Sequence, residues 1–355
     1  MSSAGAQLVQ SAATLIASVI VLGVASWTAI ALKFQAPGGE ALRWLLIALW
    51  LAFALAVLVG LFRGHALAST VSFVIAFGGV LIWWHSLKPS NDRQWADDVA
   101  RTTSGRISGD EAILYNVRNF DWRSATDYTE RWETRRYDLR QLRSLDMITS
   151  YWDAPKAIAH VLFSFGFDDG THAAFSVEIR REKSADFSAI GGFFKEFELS
   201  VIAADERDVI RVRTNMRGED DYLYRVRLPV HDIRSLFSAY IDQANELVNT
   251  PRFYNTVTVN CTTLVYHMMK HIVGGLPLSF RVLLSGYLPE YVYSVGGLDQ
   301  RYTLEQLRSF GRITERARAA DHSANFSQDI RKGIPLLEPA AVSVGSDPAP
   351  GAIGG

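Results

Sequence analysis

The sequence contains one cysteine, Cys261, among 355 residues. A lone thiol excludes an intramolecular disulfide framework and every multi-cysteine zinc site. Charge imbalance is missing as well: 36 basic side chains against 37 acidic ones leave −1. A nucleic-acid binder needs a basic surplus to neutralise phosphates, so that class of partner is excluded. No charged residue precedes Lys33. A cleaved signal peptide needs a basic n-region, so the apolar runs that follow read as retained spans. Repeats of solenoid or propeller period are absent too.

What the chain does have is unevenly placed. Hydrophobic residues make up 48%, yet the mean hydropathy is only +0.06, because the apolar excess lies before Lys88. Residues 8–32, 44–62 and 67–84 carry no charge, and each approaches or exceeds the ~18–20 residues needed to cross a hydrocarbon core. Interfacial residue types bracket them: Lys33, Arg43, Trp44, Arg63, His65, Trp83, Trp84, His85 and Lys88. The organisation read from this is three transmembrane helices in 1–90, a polar juxtamembrane connector in 91–106, a water-facing domain in 107–332 and a low-complexity, disordered tail in 333–355. Lys33 and Arg43, set against Glu40, slightly favour a cytoplasmic first loop, which would also place the large domain in the cytoplasm. A margin of about one charge leaves the orientation open.

The water-facing domain is β-rich in its middle. Ala157–Phe167 alternates and is rich in β-branched and aromatic residues, Asp168-Asp169-Gly170 makes a turn, and Thr171–Arg180 returns as a second strand of a hairpin. Phe197–Ala203, Val209–Thr214 and Tyr222–Leu228 read as further strands. After Pro229 the period changes: Val230, Ile233, Phe237, Tyr240, Ile241, Ala244 and Leu247 lie at helical spacing, which predicts an amphipathic helix. Strands followed by helices predict an α+β domain.

The chemistry centres on Asn260-Cys261-Thr262-Thr263. Asn260 is a favoured N-cap type, which makes Cys261 the first residue of a helix whose apolar stripe is Leu264, Val265, Met268, Met269 and Ile272 and whose end is Gly274-Gly275. A thiol there would face unpaired N–H groups and the positive end of the dipole, which predicts a lowered pKa and a place to hold an oxyanion. A thiolate nucleophile needs a base, and a base needs a third group to fix its tautomer. His160 lies within the first hairpin strand. A three-residue loop pairs Phe167 with Thr171 and sets Glu178 opposite His160; a two-residue turn would bring Ile179 there instead. His172 is the rival third member. His267 and His271 have the spacing of a metal-ligand pair but lack the following Glu of a metalloprotease; no metal and no cofactor are expected. Asp205, Glu206, Arg207, Asp208, Arg211 and Arg213 read as an exposed strand edge, from which Arg211 and Arg213 could meet an anionic headgroup.

A histidine on a strand followed by a cysteine after Asn at a helix start resembles the circularly permuted branch of the NlpC-type papain-like superfamily. Five blocks, Val117–Asp121, Ile158–His160 with Ser164–Phe167, Ser176–Arg180, Asp205–Ile210 and Asn260–Thr263, are similar to the periplasmic domain of Lnb-type lipoprotein acyltransferases. That resemblance covers roughly Ile113 to Val273. It implies a permuted papain-like domain with an antiparallel sheet and packed helices, in a bacterial multi-pass inner-membrane protein whose C-terminal domain is periplasmic. It further implies acyl transfer from the diacylglyceryl group of a lipoprotein or lipid substrate to an amine, through a thioester on Cys261. His160 would be the base and Glu178 the third member; Asn260, Arg211 and Arg213 are the candidate substrate contacts. One difference stands out: in those acyltransferases the domain precedes the membrane helices, whereas here three helices precede it. Two other classes fit the same residues, a papain-like peptidase or amidase acting on cell-wall peptides and a non-catalytic membrane-anchored interaction module.

Overall fold

A computed structural model describes residues 3–185, 188 and 190–335; the expected tail at 333–355 lies almost wholly outside them. The chain forms two compact units. One comprises the chain through Ala100 with Ile179–Ser200 and Leu247–Asn260, and the other comprises Arg101–Glu178, Val201–Glu246 and the chain from Cys261 on.

The first unit holds three helices, α1 (Ser3–Gln35), α2 (Glu40–Phe62) and α3 (Ala66–Ser86), each long and apolar enough to cross a membrane. Val21, Ala25, Trp50, Ala54, Val57, Leu61 and Phe73 meet in their common core, while Leu15, Leu55 and Ile75 are among the many large apolar side chains that face outward. That inversion is what a helix bundle in lipid requires, because the outer face is solvated by acyl chains. After α3 the connector is organised by Arg180. Its guanidinium donates to the carbonyls of Val99 and Ala100 and to Asn91 Oδ1 and lies over the Trp95 ring at 4.5 Å. Burial pushes this guanidinium down to about 10.

The second unit is built on a sheet. Its strands are β1 (Ser104–Ser108), β2 (Glu111–Arg118), β3 (Asp121–Trp122), β4 (Tyr128–Thr129), β5 (Trp132–Asp138), β6 (Leu142–Tyr151), β7 (His160–Phe167), β8 (His172–Arg180), β9 (Glu198–Ala204) and β10 (Asp220–Val226). The order is β1-β2-β9-β8-β7-β6-β10 with β5 also paired to β2, and β3 and β4 form a separate ribbon. The expectation of an antiparallel sheet is corrected at the β2–β9 junction, which runs parallel, with Arg118 opposite Ala204. The class is α+β with a mixed sheet.

Alternation along β7 and β8 sends their side chains into two cores. Phe165, Phe167 and Phe175 pack edge-on against Phe237 of α5 (Val230–Asn249). On the other face Ile148, Leu162, Ala174 and Ile202 join Val209, Ile210, Ile313, Ala317, Phe326 and Ile330. Burying each such side chain contributes about 1.5–3 kcal/mol against unfolding.

The predicted strand Val209–Thr214 is a helical segment instead. It comprises α4 (Glu206–Val209) and a π-helical turn at Val212–Met216. The reason is Asp208, which is fully buried. Its carboxylate accepts from Arg118 Nε and Nη2, from the Phe120 backbone N–H and from Trp122 Nε1, all at 2.8–3.0 Å. A carboxylate so satisfied is stable inside the protein, and a turn of helix is needed to bring it there. Asp208→Ala should cost about 3–5 kcal/mol by removing the carboxylate to which the Arg118 guanidinium and the Trp122 indole N–H donate. A thermal midpoint unchanged in detergent would contradict this assignment.

Candidate functional site

The three-residue turn Asp168-Asp169-Gly170 fixes the site. The Phe167 N–H donates to the Thr171 carbonyl, Gly170 takes φ +82°, and the ladder runs Gly166↔His172 to Leu162↔Ser176. Carried two residues further, that register brings His160 opposite Glu178, and the side chains meet: His160 Nε2 lies 3.2 Å from Glu178 Oε1. Ser176 sits between them, with Oγ 2.7 Å from His160 Nε2 and donating to Glu178 Oε1 at 2.6 Å. Because the single hydroxyl proton of Ser176 goes to the carboxylate, its lone pair faces Nε2. Nε2 therefore carries the ring proton, and in the neutral ring the lone pair is on Nδ1. His172 is at the far end of the hairpin, six residues along the strand and about 20 Å away, where Nδ1 donates to the Gly170 carbonyl. The structure brings Glu178, not His172, to His160.

Behind Glu178 stands Arg213, with Nη2 3.2 Å from Glu178 Oε1 and Nη1 3.1 Å from Glu219 Oε2. Burial raises the carboxyl of Glu178, but the charges and hydrogen bonds of His160, Arg213 and Ser176 outweigh it and hold the group well below the usual carboxylate range. The network continues through Ser150 Oγ, which donates between Glu219 and Asp221. Asp221 is fully buried; burial and the nearby carboxylates of Glu219 and Asp220 push it up to about 7, against opposing effects of Ser150 and Arg213. One guanidinium thus faces two ionised carboxylates, and the third carboxyl holds its proton up to about pH 7.

Arg213 and Arg211 do not do what the sequence suggested. Both are buried, and Arg211 donates to Asp321 at 2.7 Å and to Asp121 at 3.4 Å. These guanidinium groups are taken up by carboxylates of their own chain, so the expectation that they meet a lipid headgroup is corrected. Asn260 is also redirected. Its Nδ2 donates to the Thr256 carbonyl at 2.7 Å, and α6 begins two residues beyond Cys261, spanning Thr263–Val273 with Thr262 as N-cap. Thr262 does not cap the helix with its side chain either, because Oγ1 donates to the Val282 carbonyl at 2.6 Å.

Cys261 is buried, 7% exposed. The backbone N–H of Val161, the residue after His160, acts on its thiol to lower the pKa. Here the predicted lowering of the thiol pKa is wrong in sign. Burial pushes Cys261 up to about 11, the Glu178 charge adds to the rise, and the Val161 N–H and the Arg213 charge offset only part of it. Desolvation outweighs a helix dipole whose first turn starts beyond the sulfur. The strand that carries His160 is fixed from outside the sheet. The Ala159 N–H donates to Ser285 Oγ at 2.9 Å and the Gly286 N–H to the Ala157 carbonyl at 3.0 Å. Gly286 lies so close to Lys156 that a Cβ there would collide with the Lys156 carbonyl oxygen.

Sequence reasoning singled out Cys261, His160 and Glu178 but not Ser176, Arg213 in its structural role, Glu219, Asp221 or Ser150. The spacing Ser176-Val177-Glu178 on one strand face was the available signal for the first of these. Among the described residues no group of three or more His, Cys, Asp or Glu side chains could hold a metal ion.

Residues 128–286 match a family model described as the Lnb N-terminal periplasmic domain. That segment bears out the resemblance seen in the sequence blocks. No curated protein and no solved structure matches the chain. With three apolar helices before a periplasmic domain, the chain is an inner-membrane protein whose C-terminal domain faces the periplasm. Three crossings then put the α1–α2 loop on the periplasmic side with that domain. The one-charge margin of Lys33 and Arg43 pointed the other way and did not decide the topology.

Asp221 gives a pH test of the network. Its folded value, about 7, lies above the ordinary 3.8, so between these values the folded protein holds a proton the unfolded chain has released. The stabilisation is complete below about pH 4 and lost as pH rises through about 7. Thermal midpoints of the full chain in detergent should therefore fall from pH 4 to 7 relative to those of Asp221→Asn. A difference curve flat over that window would contradict the assignment.

Proposed function

We propose that this chain is a membrane-anchored cysteine acyltransferase of Lnb type, with a permuted papain-like catalytic domain. The acyl chain would come from the diacylglyceryl group of a lipoprotein or related lipid and go to an amine. The observation that carries the reading is the hydrogen-bond chain His160–Ser176–Glu178–Arg213, together with the Val161 N–H, next to His160, acting on the Cys261 thiol. A free, merely structural cysteine needs no neighbouring histidine with an assigned tautomer.

In this reading Glu178 and Ser176 hold the proton on Nε2, so Nδ1 is the base. A thiol pushed up to about 11 rests protonated, and its proton moves to Nδ1 as the sulfur attacks the donor ester carbonyl. The carbonyl π electrons move onto oxygen, which backbone N–H groups near the start of α6 would hold. The tetrahedral intermediate collapses, the C–O bond breaks, and the leaving alkoxide takes the proton from the imidazolium, giving a lyso product and a Cys261 thioester. The acceptor amine then attacks the thioester, His160 takes a proton from the nitrogen, and the thiolate leaves and is reprotonated. Atoms balance with no co-reactant beyond the amine. The buried Glu178 carboxylate stabilises the imidazolium formed in each half-reaction. The apolar helices add a reason for a lipid donor: they confine enzyme and substrate to one plane.

Purified full-length protein in detergent with a diacylglyceryl lipopeptide should yield the N-acylated lyso form by mass spectrometry. Cys261→Ala should abolish it, and Glu178→Gln should lower kcat by about 10- to 1,000-fold with KM little changed, since the carboxylate acts on the charge that develops at His160. Release of peptide from cell-wall fragments in place of acyl transfer would move the assignment to an amidase. Full acyl transfer by Cys261→Ala would sink both.

A further inference from the structure

Most exposed apolar side chains of the first unit lie on the three helices, where lipid covers them. Among the described ones that do not are Ile190, 58% exposed, and Phe193, 46% exposed. They belong to a tight turn, Gly191–Phe193, and the residue that follows them is bolted to the helix ends. Phe194 is buried, stacked on Phe34 of α1 at 5.9 Å and in ring contact with Trp27 of α1 and Trp84 of α3 at 6.2 and 6.3 Å. Its carbonyl accepts from Gln35 Nε2 at 3.0 Å. Lys195 then donates from Nζ to the Trp84 carbonyl at 2.6 Å and lies over the Trp84 ring at 4.6 Å.

Those contacts fix the depth of the turn. Trp27 and Phe34 are seven residues apart on α1, about 10 Å along the axis, and one phenyl ring touches both. The α1 and α3 ends carry the Trp, Lys and His residues of a membrane–water interface, on the periplasmic side. We infer that the Ile190–Phe194 turn is a membrane wedge, seating Ile190 and Phe193 at the headgroup–acyl boundary of the periplasmic leaflet. The partner is the lipid of the bilayer that holds α1 and α3, and the surface is continuous with the one those helices already present. The turn is backed by the segment before the cysteine, since Gly192 lies against Tyr254 and Thr256 with no room for a side chain. Val257, the next residue, is itself 39% exposed and extends the apolar surface.

The test places nitroxide labels at Ile190→Cys and Phe193→Cys in full-length Cys261→Ser protein in lipid nanodiscs. It compares collision with oxygen, which concentrates in acyl chains, against collision with a water-soluble nickel chelate. Leu15 on the outward face of α1, 64% exposed, is the lipid reference. Asp127, 60% exposed, is the water reference. Both test labels should favour oxygen over nickel several-fold more than the Asp127 label does. As a second arm, wild-type protein in nanodiscs containing a lipid with a photoreactive group high on the acyl chain should cross-link within residues 188–195. Labels that read like Asp127, or cross-links confined to the three helices, would overturn the wedge.

Discussion

The buried carboxylate of Glu178 is the constraint from which the site is built. A carboxylate inside a protein persists only if its desolvation is offset by charge and hydrogen bonds. Here Arg213, His160 and Ser176 supply these together. Arg213 must in turn be buried to reach it. That need accounts for the helical path of residues 206–216, which carries the guanidinium under the sheet where an exposed strand edge could not. Glu219 takes the other arm of Arg213, and Asp221 holds a proton up to about pH 7, which limits the local negative charge. The imidazole tautomer, and with it which nitrogen can act as base, is set at the near end of this chain of contacts.

Much of this was legible in the sequence where local chemistry decides. Asp168-Asp169-Gly170 specified a three-residue turn, and from the turn the register and the His160–Glu178 pairing followed by counting. The amphipathic period of 230–247 gave α5, and three uncharged runs gave the helices of the first unit. What failed were the places where a polar residue is buried by a partner far along the chain. Alternating Val209, Arg211 and Arg213 resemble a strand with a solvated face. Only Asp121, Asp321, Glu178 and Glu219 reveal that both arginines point inward, and nothing local to 209–214 announces them. β5 was missed for a related reason, since its Glu, Thr and Arg residues hide the pattern of a paired strand.

The helix start at Cys261 teaches the opposite lesson. Asn260 and Thr262 are good capping types, but each finds a different partner, the Thr256 and Val282 carbonyls, and the helix begins later than propensity alone suggests. With the sulfur outside the first helical turn and shielded from water, desolvation outweighs the dipole and the thiol rests protonated. A buried resting thiol is also protected from oxidation and from stray electrophiles until substrate enters. That arrangement suits an enzyme in the oxidising periplasm with only one cysteine. In the proposed reaction it would make His160 a base that acts during attack, with thiol plus imidazole rather than a preformed thiolate as the unit of chemistry.

The central claim is that Cys261 accepts an acyl group with His160 as its base. Intact-mass analysis of full-length protein, quenched in acid within seconds of mixing with an acyl-donor lipopeptide, tests it most directly. The account predicts a mass gain of one acyl chain on Cys261, lost on treatment with neutral hydroxylamine and absent in His160→Ala. An acyl adduct located on another residue, or one formed as fast in His160→Ala as in the native chain, would contradict it.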